Sequence, residues 1–234
     1  MSQKMSTGRK AVMSVVVVLI VVLALVAVVP MVYSAIMGPG VRTEGLSAEN
    51  AQPATTDLDG QWQVVTTRDV NTTAVGFTFF EILPGERKNT SGSTQAVEGS
   101  ATVDNEELTA GEIVVDMTEV TTDNQRRDVN VARKILLTDQ FPTASFTVTE
   151  PADVSQVPDD GTSGTVTLVG DLEIHGETNQ VTHEFDALRD GDLLIISGDL
   201  PINRLDYGVE SPEFVAAAID EEGELNIRIA MEKV

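Results

Sequence analysis

Residues 164–174 read GTVTLVGDLEI. Val166, Leu168, Gly170, Leu172 and Ile174 fall on one side, Thr165, Thr167, Asp171 and Glu173 on the other. Successive side chains of a strand point to opposite faces, so a period of two predicts a strand with one dry and one wet face. The same period recurs on both sides of this stretch. In QAVEGSATV, residues 95–103, Val97, Gly99, Ala101 and Val103 oppose Glu98, Ser100 and Thr102; in ELNIRIAME, residues 224–232, Leu225, Ile227, Ile229 and Met231 oppose Asn226, Arg228 and Glu232. Enrichment in Val, Ile, Thr and Phe agrees with strands.

Turn-forming residues separate these runs at Pro84-Gly85, Asp104-Asn105, Asp159-Asp160-Gly161, Gly176 and Asp190-Gly191. Short turns imply hairpins and antiparallel pairing. Eight strands are expected, starting near Gln61, Thr73, Ser93, Leu108, Ala144, Thr165, Val181 and Leu193, with a further one near Glu222. DNQRRDVNVARKILL, residues 123–137, instead spaces Val131 and Ile135, then Ala132 and Leu136, four apart. That predicts a short amphipathic helix capping an end or edge of the sheet. One sheet of so many strands must close or fold over to bury its apolar face, which predicts an all-β barrel or sandwich. Gly99, Ala101, Ala110 and Gly170 are small residues at inward positions, and aromatics make up 4% of the chain. Both features favour a barrel with a cavity over a plugged one, with a well-packed sandwich as the alternative.

The fold is preceded by a segment of another kind. Ala11–Val29 carries no charge, and apolar character runs on to Met37. About 19 helical residues cover roughly 28 Å, close to the hydrocarbon thickness of a bilayer. Lys4, Arg9 and Lys10 precede the run, so the positive-inside rule leaves residues 1–10 in the cytoplasm, makes 11–37 a signal anchor and sends the rest outside. The rival is secretion after signal cleavage, but Tyr33-Ser34-Ala35 is a poor site because Tyr33 is bulky. Residues 38–58, rich in Gly, Pro, Ser, Thr, Asn and Asp, are expected to be a flexible tether, and 59–234 the barrel domain.

Charge and composition exclude several functions. Of 15 basic residues, three precede Val41; the remaining 12 face all 37 acidic ones. A surface this acidic repels nucleic acid and should not lie flat on an anionic bilayer. Without cysteine there are no disulfides or thiolate sites. No nucleophile elbow, phosphate loop or zinc-binding histidine pair occurs. His175 reads as a turn residue, and His183 shares the parity of Val181 and Phe185. The acidic runs at Asp159-Asp160 and Asp220-Glu221-Glu222 lack the alternating pattern of a calcium loop and read as solvated turns. In Arg204-Leu-Asp206-Tyr207-Gly208 there is no base of adjustable pKa beside a nucleophile, so the stretch reads as a corner of the sheet. No catalytic residue, metal or cofactor is expected.

NRLDYGV, residues 203–209, resembles the Arg-x-Asp-aromatic-Gly signature of the YceI-like polyisoprenoid-binding family. Gly60-Gln-Trp62, VGFTF (75–79), Arg127-Asp128 with TDQFPTASF (138–146), and VGDLEIHGETNQVTHEF (169–185) resemble that family's other segments in order. Asn71-Thr72-Thr73 stands where the family commonly carries His-Ser. The resemblance implies a lipocalin-like antiparallel barrel outside the cytoplasm holding an isoprenoid or other long-chain lipid. The expected lining is Trp62, Phe77, Phe79, Val97, Val103, Ile113, Val115, Phe146, Leu168 and Leu172. The alternative is a filled barrel that serves as an interaction or stress-sensor domain. Membrane partnership comes through the N-terminal helix, nucleic acid is not a partner, and a homodimer is compatible with the sequence.

Overall fold

The computed structural model describes residues 7–36, 38–83, 86–211 and 218–234. The Pro84-Gly85 turn, Met37 at the expected end of the anchor, residues 1–6 and the 212–217 end of the corner stretch lie outside the described residues. A long helix α1, Thr7–Ile36, comes first. Eleven strands follow among the described residues: β1 Gly60–Val65, β2 Ala74–Leu83, β3 Glu86–Thr94, β4 Val97–Asp104, β5 Glu107–Asp116, β6 Thr143–Val148, β7 Ala152–Asp153, β8 Ser163–Ile174, β9 Glu177–Asp190, β10 Leu193–Asn203 and β11 Ala218–Lys233.

The strands form a closed, all-β, antiparallel barrel. Its ring runs β1-β4-β5-β6-β8-β9-β10-β11 and shuts where Trp62–Val65 of β1 pair with Ala230–Lys233 of β11. Earlier residues of β11 pair instead with β2, which carries β3 on its far side. The opening GTVTLVGDLEI stretch is β8, and its burial alternates as its sequence does.

Between β5 and β6 the chain leaves the sheet for a helical excursion. Helix α2, Gln125–Asn130, starts where the Asn124 side chain accepts from the Arg126 amide at 2.9 Å. It runs into a wider π-helical turn, Val131–Ile135, closed by the Leu136 amide on the Val131 carbonyl at 2.8 Å. This is the capping helix expected from the Val131/Ile135 spacing. It sits at the barrel end that also holds the β8–β9 turn at His175-Gly176 and the Arg204 corner. The opposite end holds the turns at Asn105 and Gly191, and is floored by Leu58, Trp62, Ala152, Val154 and Val157. Trp62, 1% exposed, donates its indole N–H to the Leu58 carbonyl at 2.8 Å.

Residues 38–58 correct the expectation of a free tether. Up to residue 57 they lie along the outside of the barrel as a strap, and Leu58 turns in to the floor. The Gly38 carbonyl accepts from Arg127, Pro39 and Val41 bond to Ser91, and Glu44 and Gly45 accept from Arg228. Ser47 bonds to Asn71, Gln52 to Asp190, Ala54 to Asp159 and Thr55 to Gly191. Under the strap, Leu188, Ile195 and Ala230 are wholly buried on the outer face, with Leu46 and Ala51 packed on them. Next to this apolar strip lies a buried polar one. Thr43 and Ser93 hydroxyls meet at 2.6 Å, those of Thr78 and Ser91 at 2.8 Å, and Asn226 accepts from Thr78 at 2.6 Å.

Candidate functional site

Inward residues of the ring enclose one long apolar space. At the floor it is lined by Leu58, Val103, Leu108, Val154, Val157 and Met231, midway by Ile113, Phe146, Leu168, Phe185 and Ile229. At the capped end it is lined by Phe79, Val131, Ile135, Leu136, Ile202, Tyr207 and Val209. The cavity measures about 230 Å³. Its wall is almost purely hydrocarbon and aromatic, because the period-two strands turn their other, polar set outward.

Of the ten residues expected to line it, Phe77, Phe79, Val103, Ile113, Val115, Phe146, Leu168 and Leu172 do so. Trp62 and Val97 are buried but lie outside the lining; Trp62 belongs to the floor. Val131, Ile135 and Leu136, expected only to cap the sheet, also supply cavity wall, and Val154 and Val157, not expected in the lining, supply part of the floor. Those two sit in a connection without strand period, so no pattern marked them.

Of the small residues expected inward, Ala101 lines the cavity, whereas Ala110 is exposed because β5 bulges where it pairs with Thr102 and Val103. A side chain at Gly170 would meet Phe146 Cε2 at 2.6 Å, and one at Gly223 would meet Phe79 Cγ at 2.6 Å. These glycines therefore seat aromatic rings against a neighbouring strand. The rings border the cavity rather than fill it.

The Arg204 stretch is a corner at the rim. Asn203 caps a short 3₁₀ turn, Arg204–Tyr207, by accepting from the Leu205 amide at 2.9 Å, and Gly208 leaves it with φ of 62°. Arg204 donates to the carbonyls of Val209 at 2.6 Å, Asp220 at 3.1 Å and Ile219 at 3.3 Å. Its guanidinium thus ties β10 to the start of β11. Tyr207 is buried, and that burial, then the adjacent Asp206 charge, raises its phenol pKa.

Among the described residues no three His, Cys, Asp or Glu side chains group to hold a metal ion. His183 stands edge-on to Phe185, ring centres 4.9 Å apart, outside the cavity lining. His175 packs on Phe141 at 4.1 Å. The arrangement offers enclosure of an apolar molecule.

Comparison with known proteins agrees with this architecture. Residues 66–231 match the family described as YceI-like domain. The structure is similar to that of BcnA from Burkholderia cenocepacia, at 16% identity and TM-score 0.55, covering 68% of this chain and 94% of that one. It is also similar to a polyisoprenoid binding domain from Saccharophagus degradans implicated in plant cell wall breakdown. There the identity is 14% and the TM-score 0.56, covering 74% of this chain and 98% of that one. No curated protein sequence matches the chain.

Proposed function

The chain belongs to the YceI-like domain family, and from that premise we propose that it is a membrane-anchored, extracytoplasmic binding protein for a polyisoprenoid-like chain. The observation that carries this reading is the cavity: about 230 Å³, walled by aliphatic and aromatic side chains along the barrel axis. Such a wall offers little to a polar ligand. For a hydrocarbon, burial is worth roughly 0.8 kcal/mol per methylene, so a long chain binds without polar contacts. The lining runs from the floor to the capped end, which suits one flexible chain. The similar domain from Saccharophagus degradans, described as binding polyisoprenoid, adds support. Val12–Val29 is apolar enough to cross a membrane, and the basic residues before it support an outside barrel under the positive-inside rule. Storage, carriage and sensing of the lipid all use the same cavity.

A second reading, an interaction or sensor domain, draws on a different observation. Phe80, Ile82 and Leu205 stay 42%, 43% and 44% exposed at the capped end, a surface suited to an envelope protein.

Native mass spectrometry of the full chain, purified in detergent from its own cells, tests the first reading. The expected result is a mass excess that organic extraction releases as an isoprenoid lipid. A bare polypeptide mass that stays bare after incubation with solanesol overturns it and favours the interaction domain.

A further inference from the structure

Helix α1 ends at Ile36, and two residues on, Gly38 is already bound to the barrel. Both terminal nitrogens of Arg127 donate to the Gly38 carbonyl at 3.2 Å, and one also reaches Asp123 at 2.7 Å. Arg127 is part of α2 and is 7% exposed, so the contact is built in rather than incidental. Two Cα–Cα steps of about 3.8 Å keep Ile36 within roughly 8 Å of this point. The 30 residues of α1 make about 45 Å of helix, the thickness of a bilayer with its headgroup layers. The connection between the end of α1 and α2 is therefore short.

The surface that α2 and the π-helical turn Val131–Ile135 offer there is basic. Arg126, Arg133 and Lys134 are exposed and take part in no salt bridge among the described residues. Val129 between them is 49% exposed. Across the ring, at the ends of β10 and β11, the rim instead carries Asp206, Asp220, Glu221 and Glu222, with Asp220 paired to Arg87. Anionic headgroups attract the first side and repel the second. On the inner side of the same helical segment, Val131, Ile135 and Leu136 line the cavity.

We propose that the barrel stands end-on against the bilayer through α2, and that it takes its apolar ligand directly from the anionic membrane in which α1 is rooted. The second half rests on the cavity being an apolar-chain site. Acidic side chains disfavour contact along the flank, and α2 with the π-helical turn after it supplies a basic, partly apolar foot at the capped end.

The native chain has no cysteine, so a single one reports on one place. Full-length Val129→Cys and Asp192→Cys, each carrying an environment-sensitive fluorophore, are reconstituted into phosphatidylglycerol-containing vesicles with shallow spin-labelled lipid. Asp192 marks the far end of the barrel. The expected result is severalfold stronger quenching at position 129. Equal quenching at both positions overturns the docking. Uptake of radiolabelled solanesol is then measured from the vesicles and from detergent micelles, for the native chain and for Arg126→Glu/Arg133→Glu/Lys134→Glu. The triple variant should lose about tenfold or more in uptake from vesicles and keep uptake from micelles. Undiminished uptake from vesicles overturns the membrane source. A native chain that takes up solanesol from neither source overturns the binding function instead, while the quenching still decides the docking.

Discussion

The Phe146 ring lies on Gly170 of the adjoining strand, so close that any side chain at Gly170 would stand 2.6 Å from Phe146 Cε2. Val148 is the residue registered opposite Gly170, so the ring crosses diagonally between β6 and β8. Phe146 belongs to the cavity wall, and the glycine fixes where that wall stands.

Gly170→Val should therefore push Phe146 into the cavity or splay the two strands. Overpacking of this kind costs ~1–3 kcal/mol. A lowered urea midpoint with an unchanged slope is expected. Uptake of solanesol should fall by more than the stability loss explains.

Phe77 and Phe79 have ring centres 6.2 Å apart on the same side of β2, and both border the cavity. Phe77→Asp combined with Phe79→Asp puts two charges into an apolar wall and should abolish uptake of the chain. Circular dichroism verifies the fold. A folded variant with native uptake would remove these residues from the ligand site.

Arg228 fastens the strap. It donates to Thr72 at 2.9 Å, to Glu44 at 3.1 Å and to Gly45 at 3.2 Å, all through backbone carbonyls. Arg228→Met leaves those carbonyls without their charged donor, at a cost of ~1–3 kcal/mol. Amide exchange of residues 41–55 should accelerate ahead of the ring strands. Uniform acceleration would mean that the strap and the ring open as one unit.

Tyr207 gives the protein an alkaline sensitivity. Its phenol is neutral in the fold at a pH where the unfolded chain, titrating near the ordinary value of about 10, has begun to ionise. Above that pH the unfolded state binds fewer protons than the folded one, so stability falls as pH rises towards the folded-state pKa. Tyr207→Phe should flatten this part of the stability profile. An unchanged alkaline slope would assign it to other groups.

The ring was legible wherever one face is dry. The alternations at 97–103, 164–174 and 224–232 became β4, β8 and the second half of β11. Where both faces are covered, or neither apolar, the signal vanished. β3 reads ERKNTSGST and has no apolar residue, because Ser91, Ser93 and Thr94 are buried against hydroxyls and backbone beneath the strap. The strap was invisible for the complementary reason: it docks chiefly through backbone groups, which carry no residue signature. The cavity wall was legible on the strands, where parity places a side chain, and less so at the floor, where Val154 and Val157 follow no period.

The strap has a consequence for the open border of the sheet. On the side of β3 away from β2, the Ser91 amide and carbonyl are taken by Pro39 and Val41, and those of Ser93 by Thr121. Without residues 38–46, the Ser91 groups would form an unpaired strand border beside a ring that otherwise closes on itself. Such a border recruits strands from other molecules. A soluble form begun at residue 59 should thus dimerise or precipitate by edge-to-edge pairing, whereas one begun at Gly38 should remain monodisperse in gel filtration.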